Sequence, residues 1–388
     1  MRSSRYDYFL DDHYAALRSL VEEFARDQVA PKAAALDEAE EFPYELVAQM
    51  AQLGLFGLPF PEEYGGSGGD YFALCLAVEE LARVDSSLAI TLEAAVSLGA
   101  MPIYRFGTEE QRRRWLPPLA RGERLGAFGL TEPGGGSDAG ATATRAVPDG
   151  DGWRIRGTKA FITNAGTEIT SVITVTAITG QRDGEKEISS FIVPVPSSGL
   201  TVSPPYSKVG WHASDTRQVF LDDVYVPADH LLGDRGRGYA NFLAILDEGR
   251  IAIAALAVGL AQGCLDEALR YAGERHAFGR PIGAFQAIQF KLADMAARVH
   301  TARLAYYDAA RRMLAGKPFK DQAAIAKLYA SDVAVCNARD ATQIFGGAGF
   351  INETPVARFW RDAKILEIGE GTSEVQRMVI ARGLGLPT

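Results

Sequence analysis

At 388 residues, 47 % of them hydrophobic and 23 % charged, the chain is long enough for two or three domains around a large buried core. Forty Lys and Arg against 49 Asp and Glu give a net charge of −9 with no dense basic block, which argues against a nucleic-acid or anionic-membrane partner. Cys75, Cys264 and Cys336 are far apart, and His13, His212, His230, His276 and His300 form no ligand-spaced cluster, so no disulfide framework and no metal site is expected.

Arg2 and Arg5 are followed by no apolar core region, and Asp7, Asp11 and Asp12 spoil an organelle-targeting pattern, so the chain reads as cytoplasmic. No apolar run is expected to reach membrane-spanning length. From Asp12 to about Gly122 the apolar spacing is helical. Leu17, Leu20, Val21 and Phe24 share one face, and Leu46, Val47, Met50 and Leu53 follow the Pro43 start signal. A glycine-rich break at Tyr64 to Gly69 precedes helices at about 71–84, 86–105 and 109–121. From Leu125 the period changes. Runs at Trp153, Val172, Phe191 and Gln218 are short, β-branched or alternating, and bounded by Gly, Pro, Asp and Ser, the pattern of antiparallel strands in a small barrel or sandwich. After Gly238 helix returns at about 239–274, 283–315 and 320–345, with a short last pair split at Glu370. Short connections make these antiparallel neighbours in a four-helix bundle.

Two segments carry chemistry. In GEGTSEVQR at 369–377, Glu370 stands between two glycines, just before a Thr-Ser pair able to cap the next helix. The glycines let the backbone press an acid against a ligand, although a plain turn between helices fits the same residues. In LTEPGGGSD at 130–138, three glycines and Ser137 expose N–H groups and a hydroxyl suited to a pyrophosphate, and a surface turn is equally compatible. No strand-loop-helix unit surrounds it, so it is not a Rossmann fingerprint.

Together with PEEYGGSG at 61–68, FITNA at 161–165, KVGWHASDTR at 208–217, ERHAFGRPIGAFQAIQ at 274–289 and QIFGGAGF at 343–350, these segments resemble the acyl-CoA dehydrogenase family, in the family's order and across nearly the whole chain. The resemblance implies an α+β multidomain fold: an N-terminal all-α domain (1–124), a middle antiparallel β-barrel or sandwich (125–234) and a C-terminal four-helix bundle (235–388). It further implies FAD as cofactor and a homotetramer built as a dimer of dimers. Phe128, Leu130, Thr131 and Ser137 should line the flavin and its phosphates. Phe161, Ile162 and Thr163 should pack on the isoalloxazine. A neighbouring subunit should add Arg275, Phe278, Gln286, Gln343, Gly346 and Gly347, while Thr372 and Glu374 approach from the subunit that supplies Glu370. Ser137, Asp247, Arg250 and Gly371 should meet the acyl-CoA. Asp247 and Arg250, three apart on one helix face, are equally suited to a local ion pair.

The implied reaction is α,β-dehydrogenation of an acyl-CoA to a trans-2-enoyl-CoA, with Glu370 as the base and an electron-transfer flavoprotein as acceptor. An oxidase or flavin-monooxygenase-like member of the same fold is the alternative. The acidic balance and the retained Glu370 disfavour a nucleic-acid-associated relative. Some family members carry the base on the helix near 247; that place is Gly249 here, with Glu248 a near miss. Many members have Trp at Phe161 and Tyr at Gly369.

Overall fold

The computed structural model describes residues 10–387. Arg2, Arg5 and Asp7, read above against a targeting segment, lie outside the described residues. Helix α1 (Asp12–Phe24) runs through a π turn at Ala25–Val29 into α2 (Ala30–Ala39), and α3 (Tyr44–Gln52) starts after Pro43. The buried face of α1 follows Arg18, Val21 and Ala25, an i, i+3, i+7 stripe. Leu20, grouped with that face on spacing, is 43 % exposed, because Arg18 turns inward to an ion pair with Glu80 at 2.5 Å.

After the glycine break come α4 (Tyr71–Ala82), α5 (Ser86–Glu93), α6 (Met101–Phe106) and α7 (Glu109–Ala120). Asp70 and Asp85 cap α4 and α5, accepting from Ala73 N–H at 2.9 Å and Leu88 N–H at 2.8 Å. Helix α5 passes into α6 through π turns at Ala94–Ala100. The resulting run, Ser86–Phe106, is 21 residues with a mean hydropathy of 1.4, and contrary to the sequence expectation it is long and apolar enough to cross a membrane. Its window is 94 % buried inside the fold, as a core helix would be.

The middle segment forms one sheet of β1 (Leu125–Gly129), β2 (Arg145–Asp149), β3 (Gly152–Thr163), β4 (Thr170–Arg182), β5 (Glu185–Pro194), β6 (Leu200–Val202), β7 (Thr216–Pro227) and β8 (Leu231–Leu232). The order is β6-β7-β3-β2-β4-β5-β8, with β1 on β4. Most pairs are antiparallel, as the alternation implies. The β1–β4 ladder, Gly126↔Val172 to Gly129↔Val175, is parallel, and so is the single β2–β4 contact. A strand delivered from a preceding helix, not through a hairpin, is free of the antiparallel constraint that a tight turn imposes.

The C-terminal helices are α8 (Gly238–Glu274), α9 (Gln286–Leu314), α10 (Lys320–Phe345), α11 (Pro355–Ala363) and α12 (Ser373–Gly383), with a hairpin of β9 (His276–Ala277) and β10 (Arg280–Pro281) between α8 and α9. One hydrophobic core runs through both helical segments. Gly259 on α8 makes that possible, since a Cβ there would lie 2.1 Å from the Glu79 carbonyl on α4. Asp362, at the end of α11, joins all three segments: it accepts from Trp211 N–H and Ser86 Oγ–H, each at 2.7 Å.

Candidate active site

Glu370 lies in the turn between α11 and α12. Its φ of +52° is left-handed, and Gly371 follows at +94°. A Cβ at Gly371 would sit 2.8 Å from Gln376 Nε2, so that glycine is required. Gly369 is not, because its φ is ordinary and a Cβ there would meet only the Ile365 carbonyl at 3.5 Å. Thr372 caps α12 by accepting from Val375 N–H at 3.3 Å, as the Thr-Ser pair implied. Gln376 Nε2 donates to the carbonyls of Glu370 (3.3 Å) and Gly371 (2.8 Å), and buried Lys327 on α10 donates to the Gly371 carbonyl at 2.8 Å. The turn is thereby fixed through its carbonyls.

The Glu370 backbone is partly accessible, but both carboxyl oxygens are buried and, among the described residues, have no hydrogen-bond partner outside the acid beside them. Burial raises the carboxyl to about 7, against the opposing pull of a hydrogen bond from Glu93, of Lys327 and of Arg250. Burial lowers Lys327 to about 8 despite the nearby Glu370. The carboxyl points at Gly249 of α8, where a Cβ would lie 2.3 Å from Glu370 Oε2. Asp247 and Arg250 form the local ion pair that their spacing allowed, and Lys320 also approaches Asp247, at 3.5 Å. Glu248 pairs with Arg105 at 2.9 Å.

A second group gathers at the exits of β1 and β3. The Ala160 N–H donates to the Thr131 carbonyl at 2.9 Å, placing Phe128, Leu130 and Thr131 beside Phe161, Ile162 and Thr163. Ile162 is buried in the sheet core. Phe161 has a φ of +59° and is 65 % exposed, stacked on Tyr206 at 5.1 Å between ring centroids. Phe128 stacks on Phe242 of α8 at 4.2 Å. Ser137 is exposed, and neighbouring Gly134 and Gly136 face open space, nothing lying within 4 Å of where a Cβ would be. A flat exposed aromatic face beside a glycine run with free room suits a ring and a phosphate, so these residues fit an FAD. Asn164 Nδ2 donates to the Thr91 carbonyl of α5 at 3.1 Å, so β3 ends against the helix whose last residue, Glu93, meets Glu370.

Beneath this surface lies a pair that sequence reading missed. Glu132, inside the LTEPGGGSD segment, accepts from Lys159 Nζ at 2.7 Å, from the N–H groups of Ala143 (2.7 Å) and Thr144 (3.1 Å), and from the Thr142 hydroxyl. Burial alone would raise this acid, but Lys159 and these donors hold it down at about 2. Burial lowers fully buried Lys159 to about 8.

The remaining expected cofactor residues lie elsewhere. Arg275 follows α8, Phe278 sits at the β9–β10 turn with a φ of +52° and 95 % exposure, and Gln286 opens α9. Gln343, Gly346 and Gly347 close α10 nearby, where Tyr271 stacks on Phe345 at 4.1 Å. From Arg250 to Arg275 the helix rises roughly 40 Å, so these residues do not join Glu370 within one chain. Glu374, on the first turn of α12, is exposed.

The chain matches the N-terminal, middle and C-terminal domains of acyl-CoA dehydrogenases over residues 11–123, 127–224 and 236–385. A probable acyl-CoA dehydrogenase of Bacillus subtilis is 52 % identical over 95 % of this chain and 97 % of its own length. The structure of butyryl-CoA dehydrogenase from Megasphaera elsdenii, 44 % identical, superposes with a TM-score of 0.94 over 97 % of this chain and 98 % of that one. A structure described with the electron transferring flavoprotein of Acidaminococcus fermentans also aligns at 0.94, with 44 % identity and the same coverage. With three consecutive domains matched, relatives alike end to end, and a buried acid placed beside an aromatic and glycine-lined surface, the chain belongs to the acyl-CoA dehydrogenase family.

Proposed function

We propose that this protein removes the α proton of a short, monocarboxylic acyl-CoA with Glu370 as the base, completing the dehydrogenation with bound FAD. The observation that supports this best is the buried Glu370 carboxyl, which has no cationic hydrogen-bond partner and is raised to about 7. A base of that strength is partly ionised near neutral pH and can still hold the proton that it takes. The Glu370 N–H, in a turn held through its carbonyls by Gln376 and Lys327, would donate to the thioester oxygen as enolate-like charge develops. Phe128, Leu130, Thr131, Ser137 and Phe161 to Thr163 would hold the FAD, which when bound accepts hydride from the β carbon.

Charge preference follows from α5, whose last residue meets Glu370. All of Ser86 to Glu93 is buried, and its one charged side chain is an acid, so a distal carboxylate would meet no cation there. Under anaerobic titration, butyryl-CoA should bleach the flavin and glutaryl-CoA should not. Turnover should need an electron-transfer flavoprotein or a dye, with little peroxide formed in air. Turnover on oxygen at the dye-coupled rate would favour the oxidase reading.

Arg275, Phe278, Gln286, Gln343, Gly346 and Gly347 would complete the FAD site of a partner subunit in a homotetramer. Their distance from Glu370 and the 95 % exposure of Phe278 support that arrangement. Arg275→Ala should weaken FAD retention by about 1.5–3 kcal/mol, the worth of a hydrogen bond to a charged group. Equilibrium dialysis measures this, and a monomer in the ultracentrifuge that keeps its full FAD would refute the shared site.

A further inference from the structure

Glu93, the last residue of α5, is fully buried. Its carboxyl faces that of Glu370 within hydrogen-bonding range, and among the described residues the Ser97 hydroxyl, on the Glu93 side, is the one further hydrogen-bonding group beside the pair. Two carboxylates buried in contact cannot both stay ionised, so at least one proton resides on the pair. The surroundings decide which acid holds it. On the Glu370 side stand two cations, Lys327 of α10 and Arg250 of α8. On the Glu93 side stand Tyr71 and Cys75 of α4, whose ionisation burial strongly opposes, and the Ser97 hydroxyl, while Glu248 of α8 is occupied by Arg105. The proton therefore belongs to Glu93, and the charge to Glu370. Burial and the adjacent Glu370 both raise Glu93 well above the usual carboxyl range, in the same direction.

The local backbone is unusual at this point. The helix widens into π turns immediately after Glu93, a feature concentrated at functional sites. Within that stretch Gly99 presses against β1, where a Cβ would lie 2.5 Å from Gly126. The π stretch that follows Glu93 thus lies against the strand bearing Phe128, while Glu93 itself meets the turn bearing Glu370. Tyr71 O–H donates to Ser97 Oγ at 2.9 Å, adding a neutral polar chain behind it.

We propose that Glu93 is a positioning residue which, as a neutral acid, donates a hydrogen bond to Glu370 and keeps that carboxylate ionised and aimed until an acyl-CoA arrives. The inference rests on the reading of Glu370 as the base. When the substrate C–H bond breaks, its proton goes to Glu370, its electron pair stays with the thioester, and Glu93 keeps its own proton throughout.

The test compares Glu93→Ala and Glu93→Gln in the FAD-loaded protein, with folding checked by circular dichroism. Loss of the donor in Glu93→Ala should move the limb of the pH profile for flavin reduction upward by about one to two pH units. Glu93→Gln keeps an N–H donor and should hold the limb near its original place. Isotope-edited infrared spectra of the substrate-free protein supply a readout independent of turnover. A protonated-carboxyl band should persist above neutral pH in the parent and vanish in Glu93→Gln. An unmoved or lowered limb in Glu93→Ala, or a missing band in the parent, overturns the inference. A Glu370→Gln variant that still reduces flavin at full rate would instead sink the base assignment beneath it.

Discussion

Glu370→Gln should lower the rate of flavin reduction by acyl-CoA by at least about 10² to 10⁴-fold while FAD and thioester remain bound. The amide keeps the size and the hydrogen-bonding ability of the side chain and removes only its basicity. Glu248→Gln should reduce the flavin almost normally. Glu248 is the acid next to Gly249 on α8, yet it is bonded to Arg105 at 2.9 Å. A helix turns roughly 100° per residue, so one step from Gly249 is enough to point it elsewhere. Stopped-flow reduction of both variants under anaerobic conditions decides the matter: a fast Glu370→Gln with a dead Glu248→Gln would put the base on the other helix. In the parent, burial leaves Glu370 protonated below about 7, so reduction should rise with pH through that value.

Lys159→Met should destabilise the protein by about 3–5 kcal/mol and loosen the FAD, because it leaves Glu132 buried without its counter-charge beneath the flavin-facing loop. Chemical denaturation measures the first effect and flavin release the second. The sign of the pH dependence is fixed by Glu132. Its folded value of about 2 lies below the ordinary glutamate value of 4.5, so its stabilisation is complete above the latter and is lost as the pH falls toward the former. The gap between parent and variant should therefore narrow in acid. Pairing the change with Glu132→Gln should restore much of the stability, since a neutral pair carries no orphaned charge. A Lys159→Met protein as stable as the parent at neutral pH would show that the ion pair has no net role.

The helices were legible because their apolar period is local: Pro43, Asp70, Asp85 and the Thr108 to Gln111 capping box mark starts that residues a few positions apart can announce. The turn and cap around Glu370 were legible for the same reason, with the glycines and Thr372 in one segment. The parallel pairing of β1 was not, because register depends on strands about 45 residues apart in the chain. Glu132 lay inside a motif that was singled out, but its partner Lys159 comes from β3, and no spacing rule links the two. Glu93 carried a signal that went unread. It is the one charged residue between Asp85 and Arg105, in a run otherwise apolar or hydroxylated, and an acid placed so must be neutral, paired or functional. Lys327 gave no such signal, since it lies in a helix with ordinary surface charges on either side.

The Cβ that Gly249 lacks and the Glu370 oxygen that fills its place compete for one volume. A side chain at 249 and a carboxylate from 370 are mutually exclusive tenants of that space. A side chain placed at 249 would push the Glu370 carboxyl out of its present position. Glycine at that point of α8 therefore leaves the room in which the carboxyl of the C-terminal turn rests.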